Sequence, residues 1–334
     1  MNVLVTGGAG YIGSHMAKAL SRAGHAVTVV DNLSTGHRDA ARFGRFVEGD
    51  LRDGNALEKL FCDTAFDAVM HFAACCYVGE SVEQPAKYYE NNVVGTLNLL
   101  AAMRAAGVDR LVFSSSCATY GDPVRLPMDE LHPQNPVNPY GMTKFAVERA
   151  MADFGRAYGL RTVALRYFNA AGSDPEGELG ERHEPETHLI PLVLREALRV
   201  RAGGRPEGTE LRVNGEGFET ADGTCVRDYV HISDLCAAHL LALHRLLEGG
   251  DAAFEAFNLG NGTGFSVKEV IGVCREVTGA DIRYSVGPRR PGDPPALVAD
   301  ARKAREVLEW KPRFERLHDI VRTAWDWMRA QAGA

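Results

Sequence analysis

Long hydrophobic runs are missing from this sequence. No stretch approaches the about 18 consecutive apolar residues of a membrane span, so no transmembrane helix is predicted. A basic start leading into an apolar run is missing too; MNVLVTGG has the pattern of a strand rather than of a signal peptide. The seven cysteines are odd in number and contain no CxxC pair. Reduced thiols, and hence a cytoplasmic protein, are expected. Basic residues are in deficit, with 37 Lys+Arg against 44 Asp+Glu and a net charge of -7. This argues against nucleic-acid and anionic-membrane partners, which need clustered positive charge, but leaves room for a local basic pocket. No HExxH motif occurs. His183 and His188 flank a Pro-containing turn, and His239 and His244 are five apart. These spacings predict ordinary histidines and no metal.

What is present has a regular rhythm. VLVTG (3–7), AVTVVD (26–31), RFVEGD (45–50), FDAVMHFAA (66–74), RLVFSSS (110–116) and RTVALRYFN (161–169) are strand-like, and helical spacing such as that of 88–107 lies between most of them. Strands this apolar, joined by helices, predict an α/β protein: a doubly wound parallel sheet of the Rossmann type. After about residue 170 the chain becomes Gly- and Pro-rich, as in 170–188, RAGGRPEGTE (201–210), 216–224 and GPRRPGDPPA (287–296). The expected division is therefore a nucleotide domain over 1–168 and a smaller α/β substrate domain over 169–334, with part of about 221–249 returning to the first. The length of 334 residues suits that arrangement.

TGGAGYIGSH (6–15) follows the first strand directly. Gly8, Gly10 and Gly13 satisfy GxGxxG, and Gly7, Gly10 and Gly13 satisfy GxxGxxG. Glycines between a strand and a helix allow a tight turn and close approach to a pyrophosphate at the helix N-terminus. The plain alternative is a merely tight turn. Asp31 ends the second strand, where a carboxylate accepts from the adenosine ribose hydroxyls and repels a 2′-phosphate. Asn32 follows and no arginine adjoins, so NAD is expected rather than NADP. Asp50 and Leu51, ending the third strand, are candidates to border the adenine.

NPYGMTK (138–144) places Tyr140 and Lys144 at i and i+4, on one face of a helix that Pro139 can open. A phenol with a pKa of about 10 is a poor base at neutral pH. A neighbouring ammonium and an oxidised nicotinamide would lower it and make Tyr140 a proton shuttle for an alcohol. In isolation such a pair is more often a solvated one; the glycine loop upstream and FSSSCATYG (113–121) favour catalysis. Ser116 is the candidate to hold the substrate oxygen, while Ser114 and Ser115 suit backbone capping.

These motifs, with HFAACCYVGESVEQP, RYFNAAGSDPEGELGE, DGTCVRDYVHISDL and PRRPGD, resemble the extended short-chain dehydrogenase/reductase family nearly end to end and, within it, the UDP-glucose 4-epimerases. The resemblance implies inversion of C4 of a UDP-sugar through a transient 4-keto sugar, interconverting UDP-glucose and UDP-galactose with NAD retained, by Ser116, Tyr140 and Lys144. It implies NAD contacts at Gly7, Gly10, Tyr11, Ile12, Gly13, Asp31, Asn32, Asp50, Leu51, Phe72, Ala73, Ala74, Asn91, Ser114, Tyr140, Lys144 and Tyr167. It places the UDP-sugar on Ser116, Tyr140, Asn169, His188, Leu189, Asn214, Arg227, Arg290 and Asp293. Two arginines suit a diphosphate, although each could instead serve a structural ion pair. It further implies a homodimer through helices at 88–106 and about 141–158.

Four departures stand out. Cys76 replaces a lysine of well-known bacterial members, Asn214 replaces an apolar residue near the uracil, CATYG replaces ATVYG, and Leu297 stands where some members have tyrosine. The last suggests room for an N-acetyl group at C2. CATYG, YVGES and DGTCVRDY also resemble the UDP-xylose/UDP-arabinose 4-epimerases. Discriminating a CH2OH group through an apolar contact is worth only about 1–3 kcal/mol, so dual use stays open. A 4,6-dehydratase would need an acid/base pair where Cys117 and Ala118 stand, and a non-catalytic NAD-binding regulator would have no need of Ser116, Tyr140 and Lys144 together.

Overall fold

The computed structural model describes residues 1–204, 209, 211–249, 253–290 and 293–333. Pro291 and Gly292 of PRRPGD, and 205–208 and 210 of the RAGGRPEGTE loop, lie outside the described residues. The six strand-like runs of the first half become β1 (Asn2–Thr6), β2 (Ala26–Asp31), β3 (Arg45–Glu48), β4 (Ala68–His71), β5 (Arg110–Ser116) and β6 (Arg161–Tyr167). The second half contributes β7 (Asn169–Ala171), β8 (Arg212–Asn214), β9 (Val226–Arg227), β10 (Tyr229–His231), β11 (Phe254–Leu259), β12 (Phe265–Ser266), β13 (Ser285–Gly287) and β14 (Ala296–Leu297). The main sheet is parallel throughout, in the order β11-β6-β5-β4-β1-β2-β3. The strand order reverses beside β1, which makes the doubly wound fold and opens a crevice at the C-terminal ends of β1 and β4.

Alternation within each strand explains why the runs are apolar throughout. Val3 and Val5 of β1 enter one core layer and Leu4 the opposite layer. The first layer is closed by α1 (Tyr11–Arg22), the second by α2 (Gly54–Asp63), α5 (Gly95–Ala105) and α6 (Pro139–Tyr158). Short helices α3 (Val78–Glu83) and α4 (Pro85–Tyr88) lead through a π-helical turn, Tyr89–Val94, into α5. Pro139 occupies the first position of α6, and the Asn138 side chain caps it by accepting from Gly141 N at 2.9 Å, an interaction worth about 1 kcal/mol.

Helices α7 (Leu189–Arg201), α9 (Val267–Thr278) and α11 (Leu317–Gln331) enclose a third core. The return to the first body is longer than the expected 221–249. α8 (Ile232–Glu248) packs on α1, β5 and β6, and β11 joins the main sheet beside β6. α10 (Arg302–Val307) then packs on β11, and Trp310 enters the first core layer with its Nε1 donating to Asp234 O at 2.9 Å. A β-strand at the sheet edge needs one partner and two covered faces, and the chain comes back to supply them.

Candidate active site

The glycine loop lies at the point where strand order reverses. Gly7 has φ +72°, and a Cβ there would lie 2.5 Å from Ala73 N, so the loop rests directly on the backbone that follows β4. A Cβ on Gly13 would lie 2.2 Å from Gly7 O, which seats α1 against the loop. Gly10 differs: it is the N-cap of α1, and its Cβ would meet nothing nearer than Gly7 O at 3.4 Å. Tyr11, Ile12 and Gly13 form the first turn behind it. The cradle thus fits a pyrophosphate at a helix N-terminus. Asp31 ends β2 with Oδ2 accepting from Ala9 N at 2.9 Å and Oδ1 from Leu33 N at 2.8 Å. Burial raises its pKa and those two backbone bonds oppose the rise. Each oxygen keeps a lone pair for a ribose hydroxyl.

Asn32 donates to Asp50 Oδ2 at 2.9 Å, and Asp50 also takes the Arg52 fork at 2.9 and 2.6 Å. That fork holds the Asp50 carboxyl well below the usual range. The Leu51 side chain is buried in the second core layer, so any adenine contact there falls to its backbone. Phe72 N donates to Thr6 O at 2.9 Å and continues β4 into Ala73 and Ala74. The Asn91 amide donates to Asn92 Oδ1 at 3.0 Å.

Ser116 ends β5 and caps a short 3-10 turn. Its Oγ accepts from Ala118 N at 3.1 Å, leaving its own hydrogen for a substrate or for Tyr140. The Lys144 ammonium is buried, donates to Ser114 O at 2.8 Å and lies 6.0 Å from the centre of the Tyr140 ring. Ser114 Oγ and Tyr167 OH are 2.5 Å apart. The expected lowering of the Tyr140 pKa by Lys144 is not what the protein groups alone produce. Burial pushes the phenol well above its ordinary value, Tyr167 and Cys76 add to this, and Ser116 opposes it only in part. Burial also brings Lys144 down to about 8. Desolvation is the largest cause for both groups, and the ammonium is held by the Ser114 carbonyl rather than by the phenol.

The candidate substrate groups converge one layer out. Arg227, Arg290 and Asp293 all act on the Cys225 thiol. Arg227 pairs with Asp293 at 3.2 Å and donates to Pro294 O at 3.0 Å. With its amide turned as its neighbours require, Asn214 accepts from Arg290 Nε at 3.0 Å and Nη2 at 2.9 Å. The polar residue that replaces an apolar one is thus accounted for: it holds a guanidinium. Asn169 Nδ2 donates to Asp228 O at 2.9 Å. Leu297 pairs with Arg227 across β14 and β9 and packs in the small cluster that contains Cys117. His188 is the N-cap of α7, followed by Leu189. Cys76 is exposed in the crevice, within electrostatic reach of both Lys144 and His188.

Comparison with known proteins agrees with this geometry. Residues 3–260 match the model of the NAD dependent epimerase/dehydratase family. The chain belongs to that family. It is 50% identical over 327 residues to the UDP-glucose 4-epimerase of Halalkalibacterium halodurans, covering 98% of this chain and 95% of that protein. Its fold is similar to the crystal structure of UDP-glucose 4-epimerase from Brucella ovis in complex with NAD, at TM-score 0.91 and 52% identity over 97% of both chains. It is also similar to the enzyme from Stenotrophomonas maltophila with bound NAD and formylated UDP-arabinopyranose, at TM-score 0.91 and 40% identity, covering 100% of this chain and 99% of that one. The cofactor is NAD, which the cradle around Gly10 fits.

Motif reading missed the groups that hold this family site rigid. Asn92 clamps the loop after β4 on α6, accepting from Cys75 N at 2.8 Å and donating to Cys75 O and to Thr143 Oγ1, both at 3.0 Å. Glu148 is buried and accepts from Ser115 Oγ at 2.6 Å, Arg166 Nε at 2.9 Å, Arg166 Nη2 at 2.6 Å and Gln134 Nε2 at 3.0 Å. One signal was available: Tyr140, Lys144 and Glu148 recur every four residues, so a carboxylate sits on the face that carries the chemistry. Glu148→Gln leaves the buried Arg166 charge without its anion. We expect a loss of about 3–5 kcal/mol of stability in denaturant titration, and a fall in turnover well below wild type in protein that remains folded. Unchanged stability would mean that Arg166 finds another anion.

Proposed function

We propose that this enzyme inverts C4 of UDP-hexoses, interconverting UDP-glucose and UDP-galactose with NAD retained through every cycle. One observation carries the choice among reactions open to this fold: Ser116 and Tyr140 meet at the crevice, while the residues after Ser116 offer no second acid or base. Burial pushes the Cys117 thiol up to about 12, and Ala118 has no proton to give. Elimination of water, as in a 4,6-dehydratase, has nothing to drive it.

NAD, when bound, supplies the hydride acceptor and donor and, in its oxidised form, a positive charge. Tyr140 takes the 4-OH proton as the C4–H bond breaks and the C4=O bond forms, and gives it back when C4 is reduced on its other face. Because burial disfavours the phenolate, Tyr140 must first give up its own proton, which the positive charges of Lys144 and oxidised NAD would favour, before it can take that of the 4-OH. Ser116 donates to the 4-oxygen, and Lys144, anchored on Ser114 O, holds the cofactor ribose. Arg227 and Arg290 hold the diphosphate and Asp293 the uridine ribose, with Asp293 and Arg227 exchanging their mutual pair for ligand contacts. Binding by the nucleotide leaves the sugar free to turn over in a site closed to water.

The molecule is further proposed to be a homodimer. Helix α5 with its π turn exposes Tyr89, Val94 and Leu97, and the neighbouring α6 exposes Met142 and Tyr158, apolar side chains that a second copy would cover. Sedimentation should give twice the chain mass, and Val94→Glu with Leu97→Glu should give monomer; a monomeric wild type would end the proposal.

A proton NMR time course with UDP-galactose and no added cofactor tests the activity. Growth of UDP-glucose to a stable mixture is expected. No conversion even after NAD is added would overturn it, and the same assay with UDP-xylose and UDP-N-acetylgalactosamine would grade the sugar pocket. Tyr140→Phe should keep NAD, read from its absorbance, and lose at least about 100-fold in turnover, the scale of general acid–base catalysis.

A further inference from the structure

Eight residues before α7 bring together four side chains that the reaction does not use as acids or bases. Glu181, His183, Glu186 and His188 each offer one ligand atom, and these atoms all lie within 4.8 Å of one another. The segment is not a helix, so the ligand-type residues recur at intervals of two, three and two rather than at a helical repeat. That is why a search for HExxH passes over them.

Three details separate this cluster from ordinary ion pairs. His188 Nδ1 is 2.8 Å from Glu181 Oε1, and His183 Nδ1 is 3.2 Å from Glu181 Oε1 and 3.7 Å from Glu186 Oε2. These spacings straddle the about 3.4 Å edge of a tetrahedron with bonds of about 2.1 Å, the geometry of zinc with nitrogen and oxygen ligands. Yet Glu181 Oε1, His183 Nδ1 and Glu186 Oε2 are buried without a hydrogen-bond partner. His188 Nδ1 does hydrogen-bond Glu186 Oε1 at 3.1 Å, but the three unpaired atoms, close together and not aimed along hydrogen-bond directions, are what a shared cation would satisfy. The side chains of Glu181 and Glu186 are only 7% and 1% exposed.

The surroundings are built to hold these ligands. Glu186 Oε1 accepts from Thr187 N at 2.8 Å and His188 N at 2.9 Å, which turns Oε2 inward. The described ion pairs bring no lysine or arginine to Glu181 or Glu186. The other acidic group, Asp174, Glu176 and Glu178, shows the contrast, because Lys18 already lies among its three carboxylates.

We propose that Glu181, His183, Glu186 and His188 form a closed, structural site for a zinc-class divalent cation. Two imidazoles and two carboxylates favour such an ion over magnesium or calcium, which take oxygen ligands in larger number. With four protein ligands there is no open position, so the metal would act as a clasp and not as a catalyst. What it would fasten is clear from its neighbours. The His183 ring meets Tyr11 of the glycine loop and Tyr77 after β4, each edge-on at 6.2 Å. Arg182 pairs with Asp39 at 2.7 Å, and its carbonyl lies 3.2 Å from His37 Nε2. His188 then starts α7. The clasp would tie the cofactor loop to the first helix of the substrate side.

Metal analysis of the full chain, purified without chelator, should find about one zinc per chain. Protein stripped by a chelator should melt at lower temperature and recover on adding zinc chloride. Cobalt(II) added instead should give the intense visible bands of a tetrahedral site. His183→Gln and Glu186→Gln should each remove the metal and the response to zinc. Should either variant fail to fold, the cobalt spectrum of the unmutated chain decides. No metal, no shift in melting temperature with zinc and no tetrahedral cobalt spectrum would overturn the proposal, leaving the cluster as paired imidazolium and carboxylate groups. Metal binding undiminished in both variants would also overturn it. None of these readouts requires epimerase activity, so this inference and the proposed function can fail separately.

Discussion

The buried carboxylate of Glu148 is the constraint on which the active site turns. It joins α6 to β5 through Ser115 and to β6 through Arg166, and with those bonds it fixes both the rotation and the height of α6 against the sheet. Lys144 and Tyr140 lie one and two turns earlier on the same face. Their meeting with Ser116 therefore depends on a pair of charges that never touches the ligand. Such a pair is costly to bury and is retained only where every lone pair is used. Here Ser115, Gln134 and the Nε–Nη2 edge of the Arg166 guanidinium use them. Tyr120 extends the network, accepting from Arg166 Nη1 at 3.0 Å and donating to Asn258 Oδ1 at 2.6 Å, which reaches β11.

Around that frame the electrostatics follow from burial. A sealed site is required if a reactive ketone is to stay in place, but sealing also removes the water that would support a phenolate or an ammonium. Tyr140 is held neutral and Lys144 is brought to about 8. Farther out, Arg227 and Asp293 pair with each other at 3.2 Å.

The parts of this structure legible in the sequence were those with local signals. The glycine loop, the six apolar strands and Tyr140 with Lys144 are each written within about a dozen residues, and each appears where its pattern placed it. Glu148 was not legible because its partners Ser115 and Arg166 stand 33 and 18 residues away, and only the packing of three elements brings them together. The return of β11 and α10 to the first core escaped notice for a related reason: a short strand after a break in rhythm carries no mark of which sheet it will join. Asn214 was marked as a departure from the resembled family, but its contact was visible only once Arg290 was placed beside it. The cluster before α7 carried the right residue types in a spacing that helical templates do not recognise.

The central claim is that the hydrogen on C4 never leaves the closed site while the proton on the 4-oxygen passes through Tyr140. The most direct test follows the two hydrogens separately. UDP-galactose deuterated at C4 is converted in ordinary water, and unlabelled UDP-galactose is converted in heavy water, with C4 of the UDP-glucose product read by NMR and mass spectrometry. The account predicts full retention of deuterium in the first case and none at C4 in the second. Exchange of C4 hydrogen with solvent in either case would contradict it and require a mechanism that deprotonates carbon.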